Sequence, residues 1–288
     1  MYMHSPFSPA APLAWAAEPA ALVFRTALDG AATLAWRNRR VRVDEDAWLL
    51  LDGGEVCSVQ VDAEVRTRLL VVAVSAAERD AAFATMTEAP AAEADRSGLC
   101  MPTANDDNGA SGHVGFVENL RPREGPAGLR LLEIARRRAA GRTLDAERGD
   151  RIALVREAVA EELALRGRAA RIACVKRATR EQLLRRILLA ADFIASHHDE
   201  PLSLDEMARA ASLSRFHFVR LFSLVLGETP HAFLLRKRTA VARRHLAVGS
   251  ACSEAATLAG FGSRSALFRN LRKTDPNPTG NAPCFLSA

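Results

Sequence analysis

Between Ala21 and Val74, apolar and polar residues alternate in short runs such as Ala32-Leu34-Trp36 and Val41-Val43, broken by Asp29-Gly30, Asn38 and Asp52-Gly53-Gly54. A period of two places alternate side chains on one face of a strand, and the breakers supply turns, so about six short strands are predicted. Two runs, Trp48-Leu51 and Leu69-Val74, are apolar without alternation. The set fits a small β-barrel or sandwich. Ala76 to Thr87 then reads as helix. Helical spacing returns from Leu129 to Ala140 and from Asp150 to about Leu165, where Ile152, Val155, Val159 and Leu163 recur at three- and four-residue steps. That stripe suits a core face, and dimerisation is an open alternative for it.

Three stretches lack such patterning. Residues 1–20 are rich in Ala and Pro and are expected to be a loose arm. Residues 89–112 combine Pro, Ala, Asp, Asn and Gly with almost nothing to bury, which predicts a loop. Residues 168–180 are basic and small and are assigned as a linker. The predicted organisation is a β-rich domain with helices over 21–167, then an all-helical domain over 181–288. The fold class is α+β.

Comparing the C-terminal part with itself exposes a repeat. Glu206-Met207-Ala208 recurs as Glu254-Ala255-Ala256, 48 residues on, and Ser214-Arg215, Phe218, Arg220 and Phe222 recur as Ser263-Arg264, Leu267, Arg269 and Leu271, 49 residues on. Each copy reads as helix, tight turn, helix. Ser203 and Glu206 form an S-x-x-E capping box, Ser214 and Ser263 stand as N-caps of the second helices, and Gly260 and Gly262 mark the second turn.

In the helix beginning after Ser214, Phe218, Leu221, Phe222 and Val225 share one face and should form core. The other face presents Arg215, Phe216, Val219 and Arg220, with His217 beside them. Cations mixed with apolar groups suit a DNA major groove, where Arg bonds guanine bidentately and apolar side chains touch thymine methyls. The second copy offers Arg264, Ser265, Ala266 and Arg269. His217 could instead pack against protein or touch phosphate. The stretch from about Pro230 to Ala247 should be a connecting helix spanning roughly 27 Å. With its ends, such a spacer suits recognition helices about 34 Å apart in successive major grooves. Arg236-Lys237-Arg238 and Arg243-Arg244 would meet phosphates or form a solvated face. His197 and His198, before Asp199-Glu200-Pro201, suit a helix C-terminus better than a metal.

Charge sharpens this picture. The net charge is +5, yet Met207 to Lys273 holds twelve Arg or Lys against Glu228 and Glu254, about +10, which leaves about −5 elsewhere. A basic module joined to an acidic one is the footprint of a polyanion-binding domain with a separate companion. Composition, 49% hydrophobic and 25% charged, suits a globular chain, and no stretch approaches the roughly 18 apolar residues of a membrane span. No Lys or Arg precedes Arg25, and Pro6, Pro9 and Pro12 interrupt the apolar residues, so the cytoplasm is expected rather than secretion. Cys57, Cys100, Cys174, Cys252 and Cys284 are scattered without C-x-x-C spacing, which predicts reduced, mostly buried thiols and no zinc site. Ala21 to Val74 contains no His and His113 is isolated, so neither clustered metal ligands nor a nucleophile-His pairing can be assembled. No catalysis, cofactor or metal is expected.

The segments Pro201-Leu-Ser-Leu-Asp-Glu-Met-Ala208, Ser214-Arg-Phe-His-Phe-Val-Arg-Leu-Phe222, the Gly227 and Pro230 pair, and Ala259-Gly-Phe-Gly-Ser-Arg-Ser265 resemble the DNA-binding domain of the AraC/XylS family over about Arg180 to Lys273. The resemblance implies base-reading positions at Phe216, Val219 and Arg220, with His217 close by, and at Arg264, Ser265 and Arg269. The second copy departs from the family pattern. Ala255, Leu267 and Leu271 are smaller than the residues usual there, which predicts an under-filled core, and the tail after Thr274 holds prolines that oppose a helix. By strand pattern and position the N-terminal half resembles that family's cupin-like regulatory domain. The implied function is a regulator binding double-stranded promoter DNA, with a small-molecule effector or dimerisation acting through the N-terminal half and RNA polymerase as partner if it activates. No membrane partner is expected. The alternative is a ligand- or partner-binding protein whose degraded helix-turn-helix no longer reads DNA.

Overall fold

The alternation between Ala21 and Val74 corresponds to six strands: β1 (Leu22–Asp29), β2 (Ala31–Trp36), β3 (Arg39–Asp44), β4 (Ala47–Asp52), β5 (Ser58–Val61) and β6 (Arg68–Val74). A short β7 (Leu120–Pro122), with no signal in the sequence pattern, pairs with β4. The computed structural model describes residues 20–52, 57–61, 66–87, 116–141, 144–173 and 176–274. The predicted 89–112 loop, nearly all of the 1–20 arm, the tail from 275, His113, Cys100, Cys174 and Cys284 lie outside them.

All pairings are antiparallel and make two sheets, ordered β6-β1-β4-β7 and β3-β2-β5. Between them lies an apolar layer of Leu34, Trp36, Val41 and Val43 from the smaller sheet against Leu49, Leu51 and Leu69 from the larger. The opposite face of the larger sheet carries Phe24, Trp48, Leu50, Leu70, Val72 and Val74, which pack on helices. The two non-alternating runs are thereby explained: β4 and β6 have apolar neighbours on both faces, so both sets of side chains avoid water.

Those helices are α1 (Ala76–Thr87), α2 (Pro126–Ala139) and α3 (Leu144–Ala169). Val155 and Val159 are buried in this layer, with Ile152 and Leu163 partly buried against it, so the stripe on α3 is core. α2 starts earlier than predicted, with Pro126 in its first turn, where the missing N–H costs nothing. Its Gly125 N-cap has no side chain, and Glu161 of α3 accepts from Ala127 N at 2.9 Å in its place. Burial raises the Glu161 carboxyl, partly opposed by that amide and by Arg121. α3 also begins before the predicted Asp150. Ion pairs hold the helices in place: Arg151 to Glu78 of α1 at 2.5 Å, Arg130 of α2 to Glu157 at 2.7 Å, and Arg121 of β7 to fully buried Glu162.

The chain divides into two compact units between Arg171 and Ile172. α3 ends at Ala169 and α4 (Arg177–Ser196) begins inside the predicted 168–180 linker, because Arg and Ala favour helix and Arg177 pairs with Glu181 one turn on. The second unit continues with α5 (Leu204–Ala210), α6 (Arg215–Leu226), α7 (Pro230–Ala247), α8 (Cys252–Leu258) and α9 (Arg264–Thr274). Among the described residues no single helix is long and apolar enough to cross a membrane.

Cys57 is free, whereas Cys252 is disulfide-bonded, a correction to the reduced state expected for it. Scattered spacing argues only against a local bridge.

Candidate nucleic-acid interface

The sequence repeat is also a repeat of backbone hydrogen bonds. After α5, Ser212 N–H donates to Arg209 O at 2.8 Å and Leu213 N–H to Ala208 O at 3.0 Å; after α8, Gly260 N–H donates to Thr257 O at 3.0 Å and Phe261 N–H to Ala256 O at 2.8 Å. The first residue of each pair is left-handed, Ser212 at φ 52° and Gly260 at φ 78°. A serine pays of the order of 1 kcal/mol for that conformation. Glycine is demanded in the second turn for a further reason: a Cβ on Gly260 would lie 2.5 Å from His198 O.

Capping fixes the ends of the first unit. Ser203 Oγ accepts from Glu206 N–H, and the Glu206 carboxylate accepts from Ser203 N–H at 2.8 Å, the predicted reciprocal box. The Ser203 hydroxyl also donates to the Glu206 carboxylate at 2.6 Å, and this bond first, then the one from the Ser203 amide, holds the Glu206 carboxyl below its ordinary range. Gly227, at φ 81°, ends α6, and Thr229 Oγ1 accepts from Ala232 N–H as α7 opens with Pro230 at its start. Ser214 has N-cap backbone geometry, but its side chain makes no cap bond; its Oγ lies 3.3 Å from His217 Nδ1. Ser263 does cap, its Oγ accepting from Ala266 N–H at 3.1 Å.

On α6, Phe218, Phe222 and Val225 are fully buried, and Phe218, Phe222 and Phe233 form an edge-to-face series with centroids 5.3 and 5.6 Å apart. The opposite face stands in solvent. Phe216 is 75% exposed, Arg215, His217 and Arg220 are exposed, and Val219 is half-buried. On α9, Arg264, Ser265 and Arg269 are exposed while Leu267 is buried among Val241, Ala242, Ala256, Ala259 and Phe261. Ala255 and Leu267 are both fully buried, and α8 and α9 are formed through Thr274.

The cations on these faces differ in what holds them. Arg215 pairs with Asp205 of α5 at 2.7 Å, across an open cleft lined also by Ser203, Arg209 and Leu213. The Arg264 guanidinium lies 5.7 Å over the Phe268 ring. Arg220 and Arg269 make no hydrogen bond or ion pair among the described residues, although they occupy the same place in the two repeats.

The connecting helix corrects one expectation. Lys237 is 7% exposed and Arg238 donates to two backbone carbonyls, so these two face protein rather than phosphate or open water, whereas Arg236 is exposed, pairs with Glu228 at 2.8 Å and lies over Phe233. A run of cations shows charge but not which side of the helix each occupies. Arg243 is exposed and Arg244 half-buried. His197 is the C-cap residue of α4, its N–H donating to Phe193 O, and buried His198 places Nδ1 3.0 Å from Ala195 O. Among the described residues no group of three or more His, Cys, Asp or Glu is placed to hold a metal ion. The sequence patterns missed the Arg215–Asp205 pair and the carbonyl contacts of Arg238, since neither partner is at helical spacing.

Residues 207–274 match a family described as helix-turn-helix domain. A probable transcriptional regulator, LumQ of Photobacterium leiognathi, is 32% identical over 88 residues, 30% of this chain and 36% of the relative. The chain thus matches about a third of the length of that curated relative. A solved structure of the xylose-binding transcription activator xylR is 22% identical over 31% of this chain and 24% of the other, with a TM-score of 0.28. ToxT from Vibrio cholerae is 11% identical over 89% of this chain and 87% of the other, with a TM-score of 0.35.

Proposed function

Since its C-terminal domain is a helix-turn-helix domain of the AraC/XylS type, we propose that the chain is a transcription regulator that binds double-stranded promoter DNA through two recognition helices, α6 and α9. One observation carries this proposal. The repeat brings out, in each copy, a helix buried on one face and exposed on the other with an exposed arginine at the same place, Arg220 and Arg269, which no other described side chain pairs with. Water gives no reason to keep Phe216 at 75% exposure beside Arg215, His217 and Arg220; a major groove does, through guanine edges and thymine methyls. The proposed readers are Arg215, Phe216, His217, Val219 and Arg220 in the first unit and Arg264, Ser265 and Arg269 in the second. Arg215 must exchange Asp205 for DNA, so it contributes less than Arg220. Phosphates, rather than bases, supply most of the affinity of such a basic module.

In the same proposal, residues 21–167 are the regulatory part and 181–288 the DNA-binding part. The acidic N-terminal part senses a small molecule or mediates homodimerisation, which shifts the availability of the DNA-binding part. RNA polymerase is the further partner if the protein activates. The protein acts in the cytoplasm and performs no catalysis. The test is selection of binding sites by the purified, folded full chain from fragmented genomic DNA. A shared two-part motif is expected; folded protein that enriches none would favour a partner-binding protein with a helix-turn-helix that no longer reads DNA.

A further inference from the structure

The connection between α4 and α5, which leads into the first helix-turn-helix, is gripped from two directions by parts of the molecule far along the chain. From α7, Arg238 donates Nε–H to His198 O and an Nη2–H to Glu200 O, each at 2.6 Å. From the second turn, Gly260 sits so close that a Cβ there would come within 2.5 Å of that same His198 O and 2.7 Å of Asp199 Cα. The gripped segment is itself stiff. His198 is buried with Nδ1 on Ala195 O, Glu200 N–H donates to His197 O at 3.1 Å, and the Ser203–Glu206 box closes its far end. Burial lowers the Arg238 guanidinium from its ordinary value, with Asp199 opposing the shift. An arginine fork spent on two backbone carbonyls, in a domain where Arg215, Arg220, Arg264 and Arg269 are exposed, serves geometry.

α7 packs against α4, α5 and α6 and also against α8 and α9, so a contact tying α7 and the second turn to the first unit fixes the angle between α6 and α9. We propose that Arg238, with Gly260 as its partner in the grip, is a positioning residue that sets the phase between the two recognition helices and thereby makes the protein demand one fixed spacing between its DNA half-sites. This rests on the reading of α6 and α9 as recognition helices. Arg238 touches no DNA in this scheme. It acts by keeping two sites on one rigid body, so that binding of one places the other at high effective concentration over its half-site.

The experiment uses the full chain and the two-part site recovered by genomic selection, in three forms: as selected, with one to three base pairs inserted between the halves, and with one half scrambled. Wild type is expected to bind the selected site tightly and to lose roughly a hundredfold on insertion. Arg238→Met keeps side-chain length but donates nothing. It should lose roughly tenfold or more on the selected site, match wild type within about twofold on the scrambled site, and lose far less on insertion. Arg238→Lys, which still reaches a carbonyl, should fall between the two. A variant that merely unfolds would lose the scrambled site as well, and Gly260→Ala, which adds the clashing Cβ, then serves as the second probe with the same expected flattening of the spacing response. If folded Arg238→Met retains the wild-type spacing response, the positioning role is overturned while DNA reading stands. If wild type shows no preference for any selected site, the recognition-helix reading itself fails.

Discussion

Arg220 and Arg269 sit 49 residues apart in sequence and at the same place in the two repeats, and among the described residues neither side chain has a partner, whereas Arg215 is held by Asp205 and Arg236 by Glu228. Exposure alone does not separate these four; their partners do. Arg220→Ala is expected to weaken specific binding by about 1 to 3 kcal/mol and to relax the base preference at one position of the site. Arg269→Ala should do the same in the other half. Arg236→Ala, which removes a side chain already satisfied on the protein, should leave DNA affinity within about twofold in the same titrations. Glu206 supports a pH prediction. Its folded-state carboxyl is depressed by Ser203, so the capping box stabilises the protein at pH values above the ordinary carboxylate range, and that contribution is lost as pH falls through the depressed value. The difference in Tm between wild type and Glu206→Ala should therefore be largest near neutrality and shrink toward zero in acid. A difference that stays constant down to strongly acidic pH would rule out the carboxylate as its source.

At the scale of elements, α6 shows how one helix serves two solvents. Phe218, Phe222 and Val225 are spaced to face α4 and α5 on one side, leaving Phe216 and Arg220 on the other. Phe222→Ala removes a fully buried ring in contact with Phe218 and Phe233 and should cost about 3 to 5 kcal/mol of stability, read from denaturant unfolding. Phe216→Ala should cost almost none and should weaken DNA binding instead. Helix α7 was legible, because apolar periodicity runs from about Pro230 to Ala247; its Thr229 cap emerged only with the structure. α3 was legible only in its middle. Its first six residues, 144–149, carry no apolar period, and Glu147 among them pairs with Arg138 of α2. β7 was missed altogether: three residues, one of them proline, carry no period, and its place is decided by pairing with β4 and by the Arg121–Glu162 pair.

For the whole molecule, the division of charge matters more than its sum. The segment from Met207 to Lys273 carries about +10 on a chain of net +5, so affinity for the selected site should fall steeply with salt, by about a thousandfold between roughly 50 and 200 mM if about six phosphates are neutralised. A shallow salt response would mean that contacts other than phosphate dominate. The amino-acid sequence by itself determined the strands between 22 and 74, the two helix-turn-helix units, the Ser203–Glu206 box and the Ser263 cap, and the outward faces of α6 and α9, because these depend on periodicity and on neighbours within a few residues. It could not determine which arginines are spoken for, why β4 and β6 are apolar on both faces, or that the loop before α5 lies between Arg238 and Gly260. Those facts depend on residues tens of positions apart meeting in space, and only the packed chain decides which of the many available pairings is made.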